Sequence, residues 1–216
     1  MNKINTFIFD LDGVITDTAE FHYLAWKHLA DAENLKFDKG MNEDLKGVSR
    51  IDSLKVILER NDRIISDERM QELAESKNNY YVELIKTISP KDILPGITEI
   101  LNILKGKRIK IALGSASKNA TTVLDGLQIT EYFDFIGDGN SVKNSKPAPD
   151  LFLHVAEKLN VSPENCIVVE DAEAGVEAGK SAGMTVVGIG TKEKMQQADF
   201  IYSSPLNINL SDIVAL

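Results

Sequence analysis

Residues 4–14, Ile4-Asn5-Thr6-Phe7-Ile8-Phe9-Asp10-Leu11-Asp12-Gly13-Val14, decide the fold. The apolar run from Ile4 to Leu11 reads as a buried strand that runs into two acids and a glycine. Asp10 and Asp12 stand at i and i+2, so both leave the strand on the same side. An Asp-x-Asp start also opens an EF-hand calcium loop. That loop needs Gly at its sixth position and Glu at its twelfth, and here they are Ile15 and Phe21. A plain Asp-Gly turn is the other alternative. It loses ground once acids appear at a second strand end.

Downstream, the character of the chain changes twice. Residues 18 to about 87 show helical patterns and no convincing strand. One pattern runs from Ala19 to Ala30, with His22 and Trp26 on one face. A second runs from Arg50 to Arg60, with Ile51, Leu54, Ile57 and Leu58 at helical spacing. A third starts at Ser66, with acids in its first turn, and reaches about Lys86.

After Pro90 and Pro95-Gly96 the chain alternates. Helices are expected at Ile97–Leu104, Ala120–Leu127, Pro149–Leu159 and Ala174–Ala182. Strands are expected at Ile109–Leu113, Phe133–Ile136, Cys166–Val169 and Thr185–Ile189. Apolar strands alternating with amphipathic helices predict an α/β fold, a Rossmann-like parallel sheet covered on both faces. The helical block interrupts it just after the first strand. The expected division is a core of residues 1–15 and 89–216 with an inserted all-helical cap of residues 16–88.

Parallel sheets of this kind hold ligands at the carboxyl ends of their strands. Four elements fall there or beside it: Asp10 with Asp12, Gly114-Ser115-Ala116-Ser117-Lys118-Asn119, Ser145-Lys146-Pro147, and Glu170-Asp171. The hydroxyl-rich segment suits an anion at a helix start. Two prolines, Pro147 and Pro149, stiffen the chain around Lys146. Two acids straight after a buried strand are costly without a cation.

Charge counting names that cation. Asp10, Asp12, Glu170 and Asp171 bring up to four negative charges together, and a phosphate adds roughly −1.5 to −2. Lys146 supplies one positive charge. The shortfall calls for a divalent, oxygen-preferring ion, and Mg²⁺ suits a phosphate site.

Composition excludes other classes. The 216 residues carry 24 Lys and Arg against 33 Asp and Glu, a net charge of −9, which argues against nucleic acid as partner. The lone Cys166 allows no internal disulfide and no multi-cysteine zinc site, and its apolar surroundings predict an inert buried thiol. The start, Met1-Asn2-Lys3-Ile4-Asn5, carries no secretory signal pattern, and no apolar run reaches the roughly 20 residues of a membrane span. A cytoplasmic protein with no membrane partner is expected. Gly137-Asp138-Gly139 and Gly188-Ile189-Gly190 lack the third glycine of a dinucleotide fingerprint.

The four elements, in this order, resemble the haloacid dehalogenase superfamily of phosphotransferases over nearly the whole chain. Within it, three stretches are similar to the beta-phosphoglucomutase family: Phe9 to His22 with Trp26, Leu45-Lys46-Gly47-Val48-Ser49-Arg50, and Ser115 to Asn119. The family interconverts β-D-glucose 1-phosphate and D-glucose 6-phosphate through β-D-glucose 1,6-bisphosphate, which is both intermediate and activator. The resemblance implies Asp10 as nucleophile and Asp12 as general acid and base. It implies one Mg²⁺ on Asp10, the Asp12 carbonyl, Glu170 and Asp171. Ser115, the Ala116 N–H and Lys146 would hold the transferring phosphoryl group. Arg50, Ser117 and Asn119 would hold the other phosphate, with Lys118 nearby. His22 and Lys77 would place Asp12, Thr18 would sit at the hinge, and Lys46, Gly47, Val48 and Ser49 would form the lid loop with Trp26 behind. The implied enzyme is an isomerase acting on small sugar phosphates, expected to be a monomer.

Bland alternatives exist for the lid. His22 and Trp26 could be lid core, Arg50 a surface charge at a helix start, and Lys77 a solvated lysine. Two other functions remain on the sequence: a sugar-phosphate or phosphoglycolate-type phosphatase of the same superfamily, and a non-catalytic sugar-phosphate sensor.

Overall fold

Strand β1, Thr6–Phe9, is buried at all four positions, and its side chains feed both faces of the sheet. Phe7 and Phe9 enter one apolar cluster and Ile8 another, as the two-residue period of a strand dictates. The computed structural model describes residues 4–213. The outermost positions of the expected core, 1–3 and 214–216, lie outside the described residues.

After β1 come four helices: α1 (Ala19–Ala32), α2 (Lys39–Glu43), α3 (Arg50–Glu59) and α4 (Asp67–Ile85). Ser49 caps α3 by accepting from the N–H of Asp52, and Ser66 caps α4 by accepting from that of Arg69. The remaining elements alternate: α5 (Ile97–Gly106), β2 (Lys110–Gly114), α6 (Ala120–Leu127), β3 (Phe135–Gly137), α7 (Asp150–Lys158), β4 (Cys166–Glu170), α8 (Glu173–Ser181), β5 (Thr185–Ile189), β6 (Phe200–Tyr202) and α9 (Leu210–Ile213).

The six strands form one sheet in the order β3-β2-β1-β4-β5-β6, with every pair parallel. Helices α5 and α6 cover one face and α7 and α8 the other. The α/β architecture with a parallel sheet is the expected one. Strand β6 and the short helices α2 and α9 were not expected, and several ends move by one or two residues.

Register brings the chemistry together. Phe9 lies opposite Leu113 on one side and Val169 on the other. The residues that follow, Asp10, Gly114-Ser115 and Glu170, therefore emerge side by side from the three central strands. Helices α1, α3 and α4 pack around an apolar cluster of their own, with Trp26, Leu29, Leu54, Ile57 and Leu73 inside it. This block joins the sheet through two chain crossings that are tied together. The Leu94 N–H donates to the Ile15 carbonyl at 2.9 Å, and the Thr16 hydroxyl donates to the Asp92 carbonyl at 2.7 Å. Among the described residues, no helix is long and apolar enough to cross a membrane.

Candidate active site

The acidic centre is built on the ends of β1 and β4. The Asp10 N–H donates to the Val169 carbonyl at 2.9 Å, which extends the ladder by one bond and fixes the side chain at the strand tip. Asp10 Oδ1 accepts from Lys146 Nζ at 2.6 Å, and Oδ2 accepts from the Asp12 N–H at 3.1 Å. Lys146 also donates to Glu170, whose second oxygen accepts from the Ala172 N–H at 3.0 Å. Lys146 and Glu170 are buried, with only 3% and 0% of their surface exposed.

Two glycines make room for these acids. A Cβ on Gly13 would stand 2.0 Å from an Asp171 oxygen, and the φ of +76° at Gly13 itself favours glycine. A Cβ on Gly175 would stand 1.9 Å from a Glu170 oxygen.

The charges are unbalanced. Burial pushes the Asp10 carboxyl up, Lys146 opposes it, and Glu170, Asp12 and Asp171 push it up again. Asp171 is pushed up to about 7, by burial first and then by Glu170, with Lys46 opposing. Burial works against the charge on Lys146, but Asp10 and Glu170 outweigh it and hold its pKa above the usual lysine value. Asp10, Glu170 and Asp171 offer carboxylate oxygens within 4.8 Å of one another. An all-oxygen, net-negative donor set of this kind fits Mg²⁺. The Asp12 carboxylate lies outside that group and instead accepts from the Thr18 hydroxyl.

Above Asp12, the helical block supplies a buried lysine. Leu73, Lys77, Tyr81 and Ile85 form one buried stripe along α4. Lys77 Nζ lies 3.0 Å from His22 Nδ1 and sits over the rings of Trp26 and Tyr81, at 4.8 and 4.6 Å. Burial, then Arg50, depresses Lys77 to about 7, while Asp12 opposes the fall. Burial, then Lys77 and Arg50, holds His22 well below the usual histidine value, so its ring is neutral. The solvated alternative for Lys77 is thus excluded. Trp26 belongs to the block's own core and also lines the cavity.

The third group lies on the loop after β2. The Ser115 hydroxyl accepts from the Ser117 N–H at 3.1 Å, and the Ser117 hydroxyl accepts from the Asn119 N–H at 3.2 Å. Lys118 between them is exposed. Across from the acids, Gly47 brings the lid loop down onto the sheet: a Cβ there would meet the Ala172 Cβ at 3.2 Å. Lys46 pairs with Glu43 at 3.2 Å. Burial acts against its charge, but Asp171 and Glu43 outweigh it and raise its pKa. Arg50 begins α3 and is half-buried, not a free surface charge.

One cavity of about 730 Å³ gathers these groups. Asp10, Asp12, Asp171, His22, Trp26, Lys77, Arg50, Lys46, Gly47, Val48, Ser49 and all five residues from Ser115 to Asn119 line it. Thr18, Lys146 and Glu170 are buried outside the lining and reach it through the residues they bond.

Sequence reasoning missed Ser53, Asn78 and Tyr81, which also line the cavity. Ser53 is buried beside the apolar stripe of α3. Asn78 accepts from Asn119 Nδ2 at 2.8 Å. Tyr81 carries a buried hydroxyl with no hydrogen-bond partner among the described residues. A signal existed for one pair: Lys77 interrupts the i, i+4 run Leu73, Tyr81, Ile85, so a lysine and a tyrosine had to share a buried face.

Comparisons with known proteins agree with this geometry. Residues 4–183 match the family model of haloacid dehalogenase-like hydrolases. The chain is 47% identical to beta-phosphoglucomutase of Bacillus subtilis, over 94% of this chain and 91% of that one. It is 36% identical to a phosphorylated carbohydrates phosphatase of Thermotoga maritima, over 82% and 81%. A crystal structure of beta-phosphoglucomutase from Clostridium difficile superposes with a TM-score of 0.94 at 49% identity, covering 97% of this chain and 95% of that one. The chain therefore belongs to the haloacid dehalogenase-like family and, within it, to the beta-phosphoglucomutases.

Proposed function

We propose that this chain interconverts β-D-glucose 1-phosphate and D-glucose 6-phosphate, as an isomerase that moves a phosphoryl group through an aspartyl-phosphate. One observation carries the reading. A single cavity is lined both by the acidic centre and by a second set of anion-binding side chains, Arg50, Ser117, Lys118 and Asn119. A phosphatase needs one phosphate position. A mutase working through β-D-glucose 1,6-bisphosphate needs two, and that intermediate must bind in both orientations. The phosphatase reading is weaker, since its relative is less similar and covers less of the chain.

The roles follow from position. Asp10, at the tip of β1, attacks phosphorus in line with the leaving oxygen. Lys146 and Ser115, with the Ala116 N–H, bind the equatorial oxygens as charge develops. One Mg²⁺ on Asp10, Glu170, Asp171 and the Asp12 carbonyl would supply the missing positive charge. Asp12 gives a proton to the departing sugar oxygen and takes one from the attacking hydroxyl. Burial raises its pKa, which suits a group that must both hold and release a proton. Thr18 holds its carboxylate. Residues 16–88 act as a cap whose Lys46–Arg50 loop closes over the sugar and excludes water. The protein works as a monomer on small sugar phosphates.

Phosphorus NMR tests the proposal. With Mg²⁺ and a trace of bisphosphate, β-glucose 1-phosphate should disappear into glucose 6-phosphate while the α anomer persists. Release of inorganic phosphate without glucose 6-phosphate would overturn it.

A further inference from the structure

The helical block touches the sheet by very few polar side-chain contacts. At the two chain crossings, Thr16 bonds Asp92 and Thr18 bonds Asp12. Away from those crossings, among the described residues, one side-chain hydrogen bond joins α4 to the loop after β2: Asn119 Nδ2 donates to Asn78 Oδ1 at 2.8 Å. No ion pair spans the same gap among the described residues.

The position of Asn78 matters. It follows Lys77 on α4, so adjacent residues of one helix serve two parts of the cavity. Lys77 faces His22 and Asp12. Asn78 faces the loop that carries Ser117 and Asn119. That loop is already braced from within by its own serines, which hold the backbone N–H groups of Ser117 and Asn119. The Asn119 carboxamide is the part they leave unheld, and Asn78 holds it.

We infer that Asn78 is a positioning residue that latches the helical block to the second phosphate site, and so biases the phosphoenzyme toward sugar and away from water. The inference rests on the two-phosphate reading above. An amide nitrogen has two N–H groups. With one spent on Asn78, the other is oriented for a phosphate oxygen. A phosphate that reaches Asn119 meets a carboxamide already fixed by Asn78, so its binding does not have to order that side chain. Only a ligand carrying a second phosphate gains this contact in the closed state, so only such a ligand shifts the equilibrium toward closure. A small donor without a second phosphate gains nothing from it.

The experiment compares wild type with Asn78→Ala, Asn78→Leu, Asn119→Ala and Asn78→Ala/Asn119→Ala. Three quantities are read: isomerisation of β-glucose 1-phosphate, hydrolysis of acetyl phosphate, and inorganic phosphate lost per glucose 6-phosphate made. Asn78→Ala should slow isomerisation by about fivefold, the worth of one net hydrogen bond. It should leave acetyl phosphate hydrolysis within about twofold and raise the phosphate lost per turnover. Asn78→Leu fills the space without the acceptor and should behave alike. In the Asn119→Ala background, Asn78→Ala should cost nothing further. Equal losses in both reactions, or losses that add in the double variant, overturn the latch. A wild type that makes no glucose 6-phosphate overturns the mutase reading, and the latch with it.

Discussion

Lys77 Nζ and His22 Nδ1 lie 3.0 Å apart in a buried pocket shared with Trp26 and Tyr81. A charged Lys77 can only donate, and in that state a neutral His22 accepts at Nδ1 and carries its own proton on Nε2. The lysine is depressed to about 7, by burial first and Arg50 second, against the pull of Asp12. The folded state therefore resists protonating a group that the unfolded chain protonates up to its ordinary value. This cost is full below about pH 7 and fades as pH rises toward 10.5.

Lys77→Met should therefore stabilise the fold at pH 6 relative to its effect at pH 9.5, by about 3 kcal/mol between the two. Urea unfolding of both proteins at the two pH values is the check. A pH-independent difference would show that the lysine is not desolvated.

Asp10→Asn should abolish turnover, since an amide is no nucleophile toward phosphorus. A loss of about 10³-fold or more is expected in steady-state rate. The variant should still bind substrate, measurable by titration calorimetry. A rate within tenfold of wild type would remove Asp10 from its role.

Asp12→Asn should cost about 10²–10⁴-fold in isomerisation, the usual worth of a positioned acid and base. Hydrolysis of acetyl phosphate, whose leaving group needs little protonation, should fall much less. Parallel losses on both donors would argue for a structural Asp12.

Arg50→Ala should cost isomerisation about 2–5 kcal/mol in kcat/KM, because a phosphate would lose its paired charge. Acetyl phosphate has no second phosphate and should react almost as before. Arg50→Lys should recover part of the loss, since a point charge lacks the planar fork. If both reactions fall together in Arg50→Ala, the second-phosphate role fails.

Gly175→Ala should destabilise the fold by about 1–3 kcal/mol. Its methyl would stand 1.9 Å from a Glu170 oxygen that Lys146 holds in place. Thermal unfolding measures the loss, and a weaker response of the variant to added Mg²⁺ would trace it to the displaced carboxylate.

The sheet was legible because its strands are short apolar runs with sharp ends. β5 and α6 fall where their patterns put them. Strand β6 escaped because it is three residues long, half-buried and at the sheet edge, so no burial pattern marks it. The strand-end acids and Lys146 were readable from local sequence and charge balance. Asn78 was not, because its partner lies 41 residues away and the contact arises only from packing α4 against the sheet. The depth of Lys77 was hidden for the same reason: α1 supplies Trp26 and His22, which with Tyr81 of α4 itself cover it.

β1 carries Asp10 at its tip, and its neighbours come late in the chain. Thr6 pairs with Lys110 on one side and Cys166 on the other. Synthesis at roughly 5–20 residues per second leaves the first strand waiting on the order of 10–30 s for its last neighbour. Meanwhile the helical block, whose four helices end at Ile85 and share an apolar cluster, can collapse. Helix content should thus return before activity in a refolding experiment. A half-assembled chain would have its helices and no assembled acidic centre, since Lys146, Glu170 and Asp171 arrive only with the final third of the sequence. On the proposed roles, such a chain has no complete centre with which to pass phosphoryl groups to water while it is still being made.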